Sequence, residues 1–422
     1  MSSADTVLRN RHPSRHLSRH PNGAKPLRVL MISDVYAPRV NGVSTSIQTF
    51  RPTLAEHGIE VTLVAPQYPA AAAEADVIRL PSRAVPLDPE DRLMHWSELA
   101  NLNRRLASTD FDVVHVQTPF AAHYAGVRFA RQRHLPCVTT YHTHFEEYLF
   151  HYIPFLPKSV MRGAARMLAR QQCNTLDAVI VPSTPMAATL RGYGVTAPLR
   201  VLPTGLPEAQ FIRGDGKRFR EQHGIGPERR VTLFVGRAAY EKNIGFLLEV
   251  VAIACRARPE ILLVIAGEGP ALDSLKQQAA KLMIEKHVCF VGYLARESGL
   301  RDCYAAADLF TFASLTETQG LVLLEAMAAG LPVLAIPALG AGEIVRPARG
   351  AVCASDVADT FAAQLVALLD SPTALAQLSA EAIHFAHEWS ADRQAAKLAD
   401  LYRELATAPI AVEFSQPVTV SS

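Results

Sequence analysis

The chain has 422 residues, 49% of them apolar, more than one ordinary core accommodates, so two domains are expected. Its 42 basic and 40 acidic residues leave a net charge of +2, which gives no overall field for nucleic acid and makes any basic function local. The six cysteines include no C-x-x-C pair, as in a reducing cytoplasm, and no apolar run reaches the ~18 residues of a membrane span or forms a signal-peptide core.

Residues 1–25 carry Arg11-His12, Arg15-His16 and Arg19-His20 without apolar partners and read as a disordered basic tail. Pro13 and the arginines argue against a helical three-histidine metal site, and contact with anionic lipid is the better functional reading. From 26 to 205, short apolar runs alternate with helical patterns. Arg28–Ile32, Glu60–Val64, Val113–Val116, Cys137–Thr140, Ala178–Val181 and Arg200–Leu202 read as buried parallel strands. Helices are expected over 44–57, kinked by Pro52, and over 93–107, 121–133 and 184–192. A second series spans 206–384, with strands at Val231–Val235, Ile261–Ile265, Val288–Val291, Leu309–Phe312 and Val333–Ile336. A helix over 385–405 is expected to return to the first domain, and 406–422 reads as a tail. Open doubly wound sheets bind ligands at the carboxyl ends of their strands, so a cleft between the two domains is the expected site.

Several loops at those strand ends carry chemistry. Ser33–Val43 joins the first strand to the first helix without G-x-G-x-x-G, which argues against a dehydrogenase, and by itself its Asn41-Gly42-Val43 reads as a plain turn. Asp110-Phe111-Asp112 has metal-motif spacing but precedes a strand, at the sheet end facing away from the cleft. Tyr141–Tyr148 follows a strand and projects into the cleft. Six of the thirty aromatic residues lie between Tyr141 and Phe155, and Lys158, Arg162, Arg166 and Arg170 then recur every fourth residue. On a helix these cations share one flank, with Val160, Met161, Ala164, Met167 and Leu168 opposite. That pattern suits an anionic lipid surface, and an ordinary surface helix packed on its own domain is the plain alternative. After Val235, Arg237 offers a guanidinium fork and Lys242 a point charge, suited to two phosphates, with Asn243 placed to cap the helix starting at Ile244. Gly267-Glu268-Gly269-Pro270 is a strand-to-helix turn at the cleft edge, a decoy that offers a nucleotide no more than a backbone contact.

The most informative stretch is Thr316–Val333, in which Glu317 and Glu325 bracket Gly320 and the start of a Leu-rich helix. The helix amides and dipole suit a diphosphate, and ionised carboxylates suit sugar hydroxyls. With the Gly330-Leu331-Pro332 stop, this stretch resembles the E-x7-E signature of the retaining glycosyltransferases of family 4, and Gly236–Asn243 resembles their G-R-x(n)-E-K-N motif. The resemblance covers roughly residues 27–405 and is nearest in look to bacterial enzymes that glycosylate diacylglycerol and to related lipid glycosyltransferases. It implies an α/β protein of the GT-B fold, two Rossmann-like doubly wound domains facing across a cleft. The implied activity is transfer of a hexose from a UDP- or GDP-hexose to an acceptor hydroxyl with retention, on one face, with a phosphate oxygen assisting. It also implies roles for particular residues. His142 approaches the donor hexose, Glu317 holds sugar hydroxyls, Glu325 the ribose, and Arg237 and Lys242 the departing diphosphate, while Gly42, Gly320 and Leu321 contact the donor through backbone. His144, Glu146 and Tyr148, with the cationic stripe from Lys158 to Arg170, fall on the acceptor and membrane side. The expected partners are a nucleotide sugar and a lipid at the cytoplasmic face of a membrane, with no nucleic acid, cofactor or catalytic metal. A sugar-nucleotide epimerase or hydrolase of the same fold, a transferase with a soluble or polysaccharide acceptor, and a non-catalytic membrane-binding protein all stay open at this point. Neither the base, read near Phe290–Tyr293, nor the hexose is fixed.

Overall fold

Strands buried on both faces read as unbroken apolar runs, and two such sets build this protein. The computed structural model describes residues 25–69, 71–85, 88–142, 158–295 and 299–408. The expected tail through residue 24, His144, Glu146, Tyr148 and residues 409–422 lie outside them, as do the side chains of Lys158 and Arg162.

The first set comprises β1 (Leu27–Ile32), β2 (Ile59–Pro66), β3 (Val77–Leu80), a hairpin of β4 (Ser82–Val85) and β5 (Asp88–Met94), β6 (Val113–Val116), β7 (Cys137–Thr140), β8 (Ala178–Val181) and β9 (Leu199–Val201). All but the hairpin form one parallel sheet in the order β3-β2-β1-β6-β7-β8-β9. The second set is β10 (Arg230–Val235), β11 (Ile261–Ala266), β12 (Val288–Gly292), β13 (Leu309–Phe312), β14 (Val333–Ala335) and β15 (Ala351–Cys353), in the order β12-β11-β10-β13-β14-β15. Both orders reverse direction once, between β1 and β6 and between β10 and β13. These are the switch points where loops diverge and leave a crevice.

Several expectations are corrected. The segment 93–107 is not one helix: it finishes β5 and then forms the short helices Trp96–Ala100 and Leu102–Arg105. The first helix starts two residues earlier than expected and runs Gly42–Glu56, with Pro52 inside it. The return does not start at 385. Helix Pro372–His387 still belongs to the second core, packing on the helices Leu321–Ala328 and Ala358–Leu369 and burying Ala382, Phe385 and Ala386, and the chain crosses at Trp389–Ser390. A new helix, Ala391–Thr407, capped by Ser390, then buries Ala395, Leu398, Ala399, Leu401, Tyr402 and Leu405 on the first sheet. At about 1.5–3 kcal/mol for each large apolar side chain, this face is a substantial share of the first core. The helix runs through Thr407, so the tail expected from 406 starts later. Among the described residues no helix is long and apolar enough to cross a membrane.

Candidate active site

Loops from both sides of the second switch point meet. The loop after β10 is locked from below by the Gly267–Gly269 turn. Ala238 N donates to the Glu268 carbonyl (2.9 Å), and a side chain on Gly267 or Gly269 would strike the carbonyl of Gly236 or Ala238. Arg237 is therefore held on a rigid edge, exposed. The Asn243 side chain does not cap the helix Ile244–Ala257 as expected. Its backbone is left-handed and its Nδ2 donates to the Ala313 carbonyl (3.2 Å), while Ser314 Oγ donates to the Glu241 carbonyl (3.0 Å). These two bonds sew the loop after β10 to the loop after β13.

The result is direct contact between two residues singled out for different motifs. Lys242 Nζ donates to Glu317 Oε2 at 2.7 Å, with side-chain exposures of only 25% and 17%. Burial by itself would raise the Glu317 pKa. The Lys242 charge and hydrogen bond, with the amides of Gly320 and Gln319, outweigh it and hold the carboxyl below its ordinary value. Gly320 has φ +88°, a left-handed backbone that favours glycine, and opens the helix Leu321–Ala328, where the Leu323 amide donates to the Gly320 carbonyl (2.9 Å). Glu325 lies inside that helix. It is buried at 4% exposure and accepts from the Tyr304 hydroxyl (3.2 Å), a partner that no sequence spacing identified.

The first domain supplies the opposite wall. Asn41 and Ser44 form a reciprocal capping box, each side chain accepting the other's backbone N–H at 2.9 Å, so Asn41 is explained by the helix itself. Gly42 is not: a Cβ there would meet nothing within 4 Å, leaving open space at the helix start. Asp34, at the end of β1, accepts from Thr118 Oγ1 and the Ala122 amide, fastening the helix Ala121–Arg133. Burial pushes its carboxyl up to about 6.

His142 follows β7, with its Nε2 2.9 Å from Gln117 Oε1. Because that oxygen only accepts, Nε2 carries the hydrogen. Burial lowers the ring to about 4, so it is neutral near pH 7. Behind it His115, lowered to about 3 by burial and then by His142, lies between Tyr402 and Thr140, at 2.6 and 2.7 Å. Gln117 and His115 escaped the sequence reading because each looks like an ordinary residue at a strand end.

The two walls touch. Thr318 Oγ1 donates to the His142 carbonyl (3.3 Å), Ser183 Oγ to the Thr318 carbonyl (2.7 Å), and the Thr184 amide to Glu343 Oε1 (2.9 Å). His142 and the Glu317 loop are thus brought together.

The cationic stripe lies elsewhere. Helix Lys158–Cys173 buries Ala165, Ala169 and Cys173 and leaves Met167 (67%) and Leu168 (42%) exposed. Arg166 stacks over the Tyr193 ring at 5.3 Å and Arg170 runs beside Gly194, so these two cations lie against their own domain. Gln172 Nε2 donates to the Pro119 carbonyl (2.8 Å), which places the exposed Phe120 and Tyr124 next to this helix.

Residues 40–210 match the family described as Glycosyltransferase Family 4, and residues 215–385 the one described as Glycosyl transferases group 1. An alpha-monoglucosyldiacylglycerol synthase of Streptococcus pneumoniae is 35% identical, over 73% of this chain and 71% of that protein. The Acholeplasma laidlawii protein of the same name is 28% identical over 73% and 80%. Among solved structures, sucrose-phosphate synthase from Thermosynechococcus elongatus superposes with a TM-score of 0.74 over 90% of this chain and 99% of that one, at 22% identity, a likeness of fold alone.

Proposed function

Because the chain belongs to the family 4 glycosyltransferases and has their GT-B architecture, we propose that this enzyme moves a hexose, with retention, from a UDP- or GDP-hexose to a hydroxyl of a membrane lipid of the diacylglycerol class. The observation that carries the reading is the Lys242–Glu317 pair, set against the helix start at Gly320 on a loop that Thr318 ties to the His142 carbonyl.

The hard step is departure of the diphosphate. Three donors occupy Glu317 at rest: Lys242, Gly320 N and Gln319 N. A diphosphate at the helix start draws Lys242 toward itself, and Arg237 adds a second cation at the same edge. Glu317 then exchanges its lysine for a sugar hydroxyl, which couples donor binding to sugar orientation. As the sugar–phosphate bond breaks, charge gathers on the phosphate oxygens, and Lys242, Arg237 and the helix dipole stabilise it more than the ground state. The acceptor hydroxyl attacks from the same face and passes its proton to the departing phosphate, so no protein nucleophile is assigned. Neutral His142, held by Gln117, offers the donor hexose its backbone and ring rather than a charge. Glu325, already bonded to Tyr304, would hold the ribose.

Support for a lipid acceptor comes from the S. pneumoniae relative and from exposed Met167 and Leu168 on a helix whose Gln172 bonds the segment carrying exposed Phe120 and Tyr124. The protein would then work as a peripheral enzyme. The test is nucleotide release from a panel of UDP- and GDP-hexoses, with and without vesicles containing diacylglycerol. Release that requires both one donor and the vesicles supports the proposal. Vesicle-independent release with free sugar or an isomerised donor as product refutes it in favour of a hydrolase or epimerase.

A further inference from the structure

Gln319 lies between Glu317 and Gly320, and both ends of its carboxamide bond one residue of the other domain. Its Oε1 accepts the Thr204 amide (2.9 Å) and its Nε2 donates to the Thr204 carbonyl (2.7 Å). Both residues are 8% exposed, so this two-point bond is made away from water, where neither half is readily replaced.

Thr204 occupies the place where the chain leaves the first domain. Two residues on, Leu206 bridges to Ser390: Leu206 N donates to the Trp389 carbonyl (2.8 Å) and Ala391 N to the Leu206 carbonyl (2.7 Å). The outgoing and returning crossings are therefore tied to each other beside Gln319. From Thr204 the path continues, Oγ1 to Ser46 Oγ at 3.0 Å, into the helix that begins at Gly42. One buried chain, Gln319–Thr204–Ser46, thus joins the loop carrying Glu317 to the helix carrying Gly42.

We infer that Gln319 is a positioning residue: it fixes the Glu317 loop to the interdomain crossing, so that the two walls of the donor site keep one relative setting. This rests on the donor-site reading of Glu317. A misplacement of about 1 Å at such a loop costs roughly 100-fold in rate. Glutamine suits the task because only a carboxamide offers one acceptor and two donors at this reach. An ionised glutamate has acceptors alone and would repel the Thr204 carbonyl. A protonated one regains an O–H for that carbonyl and keeps an oxygen for the Thr204 amide.

The test compares wild type, Gln319→Ala and Gln319→Glu in the full chain. Gln319→Ala is expected to lose about 100-fold in kcat/KM, mainly in kcat, with melting still cooperative. Gln319→Glu is expected to be as poor near pH 7.5 and to recover at least about tenfold, relative to wild type at the same pH, as the pH falls toward about 5.5. A role confined to stability would move Tm without that pH-dependent recovery. The inference is overturned if Gln319→Ala stays within about twofold of wild type, or if the Gln319→Glu ratio is flat with pH. A wild type inactive with every donor would refute the transferase reading instead. Amide exchange then decides this inference: in Gln319→Ala the Thr204 N–H must exchange at least about tenfold faster, and an unchanged rate overturns it.

Discussion

Replacing Lys242 by methionine keeps the aliphatic stem and removes the charge that Glu317 faces. At 2.7 Å and an effective dielectric constant of about 20, the gross attraction is about 6 kcal/mol, most of it offset by the desolvation of both ions. Glu317 keeps two backbone amides after the change, so the loss is smaller than the ~3–5 kcal/mol of a wholly orphaned buried charge. About 2 kcal/mol is expected, a fall of roughly 4–8 °C in Tm. The pH dependence gives the sharper test. In wild type the folded-state pKa of Glu317 lies below 4.5, so its stabilisation is present above that pH and fades as the pH falls through the lowered value. Without Lys242 the desolvation cost dominates, the carboxyl moves up, and the variant's penalty is relieved by acid. The gap in Tm between Lys242→Met and wild type is therefore widest near neutrality and closes below about pH 4.5. Acid effects from the histidines are common to both proteins and cancel in the difference. Thermal melts of both from about pH 4 to about pH 8 measure the gap. A gap that is absent or independent of pH refutes the argument. In the same variant kcat is expected to fall about 100- to 1,000-fold, the cost of losing one donor to a developing oxyanion.

Gly42→Ala places a methyl group where the fold has nothing within 4 Å, at a position where alanine is the better helix former. Tm is expected to hold or rise slightly while KM for the nucleotide sugar rises at least about tenfold, and an unchanged KM would show that the donor does not approach there. His142, with its pKa lowered to about 4 in the folded protein against 6.5 unfolded, makes the native state bind fewer protons between those values. Stability therefore declines as the pH drops from 6.5 toward about 4, by an amount of order 1–3 kcal/mol from this residue, and His142→Gln is expected to flatten that slope; an equal slope in both proteins counts against the buried neutral ring. On the membrane side, Met167→Glu with Leu168→Glu is expected to abolish sedimentation with anionic vesicles while leaving Tm within about 2 °C, since both side chains are exposed. Retained vesicle binding would move the docking surface elsewhere.

The sequence by itself determined the two doubly wound series, because a strand covered on both faces must be apolar throughout, and runs such as Val113–Val116 and Ile261–Ile265 admit few other readings. It also marked Arg237, Lys242, Glu317 and Gly320 as candidates, since they occur at strand ends, in spacings that a loop and a helix start impose. It did not show that Lys242 and Glu317, 75 positions apart, hold each other, or that Gln319 reaches across 115 positions to Thr204. The hairpin Ser82–Met94 was equally hidden: its strands lie outside the main sheet and carry Arg83, Asp91 and Arg92, so no apolar run marks them. The helix break before Ala391 depends on where Leu206 meets Ser390, a matter of how two separately folded sheets dock. Periodicity is a local property of the chain and survives in the sequence. A hydrogen bond between domains depends on the relative placement of two cores, which no window of residues contains.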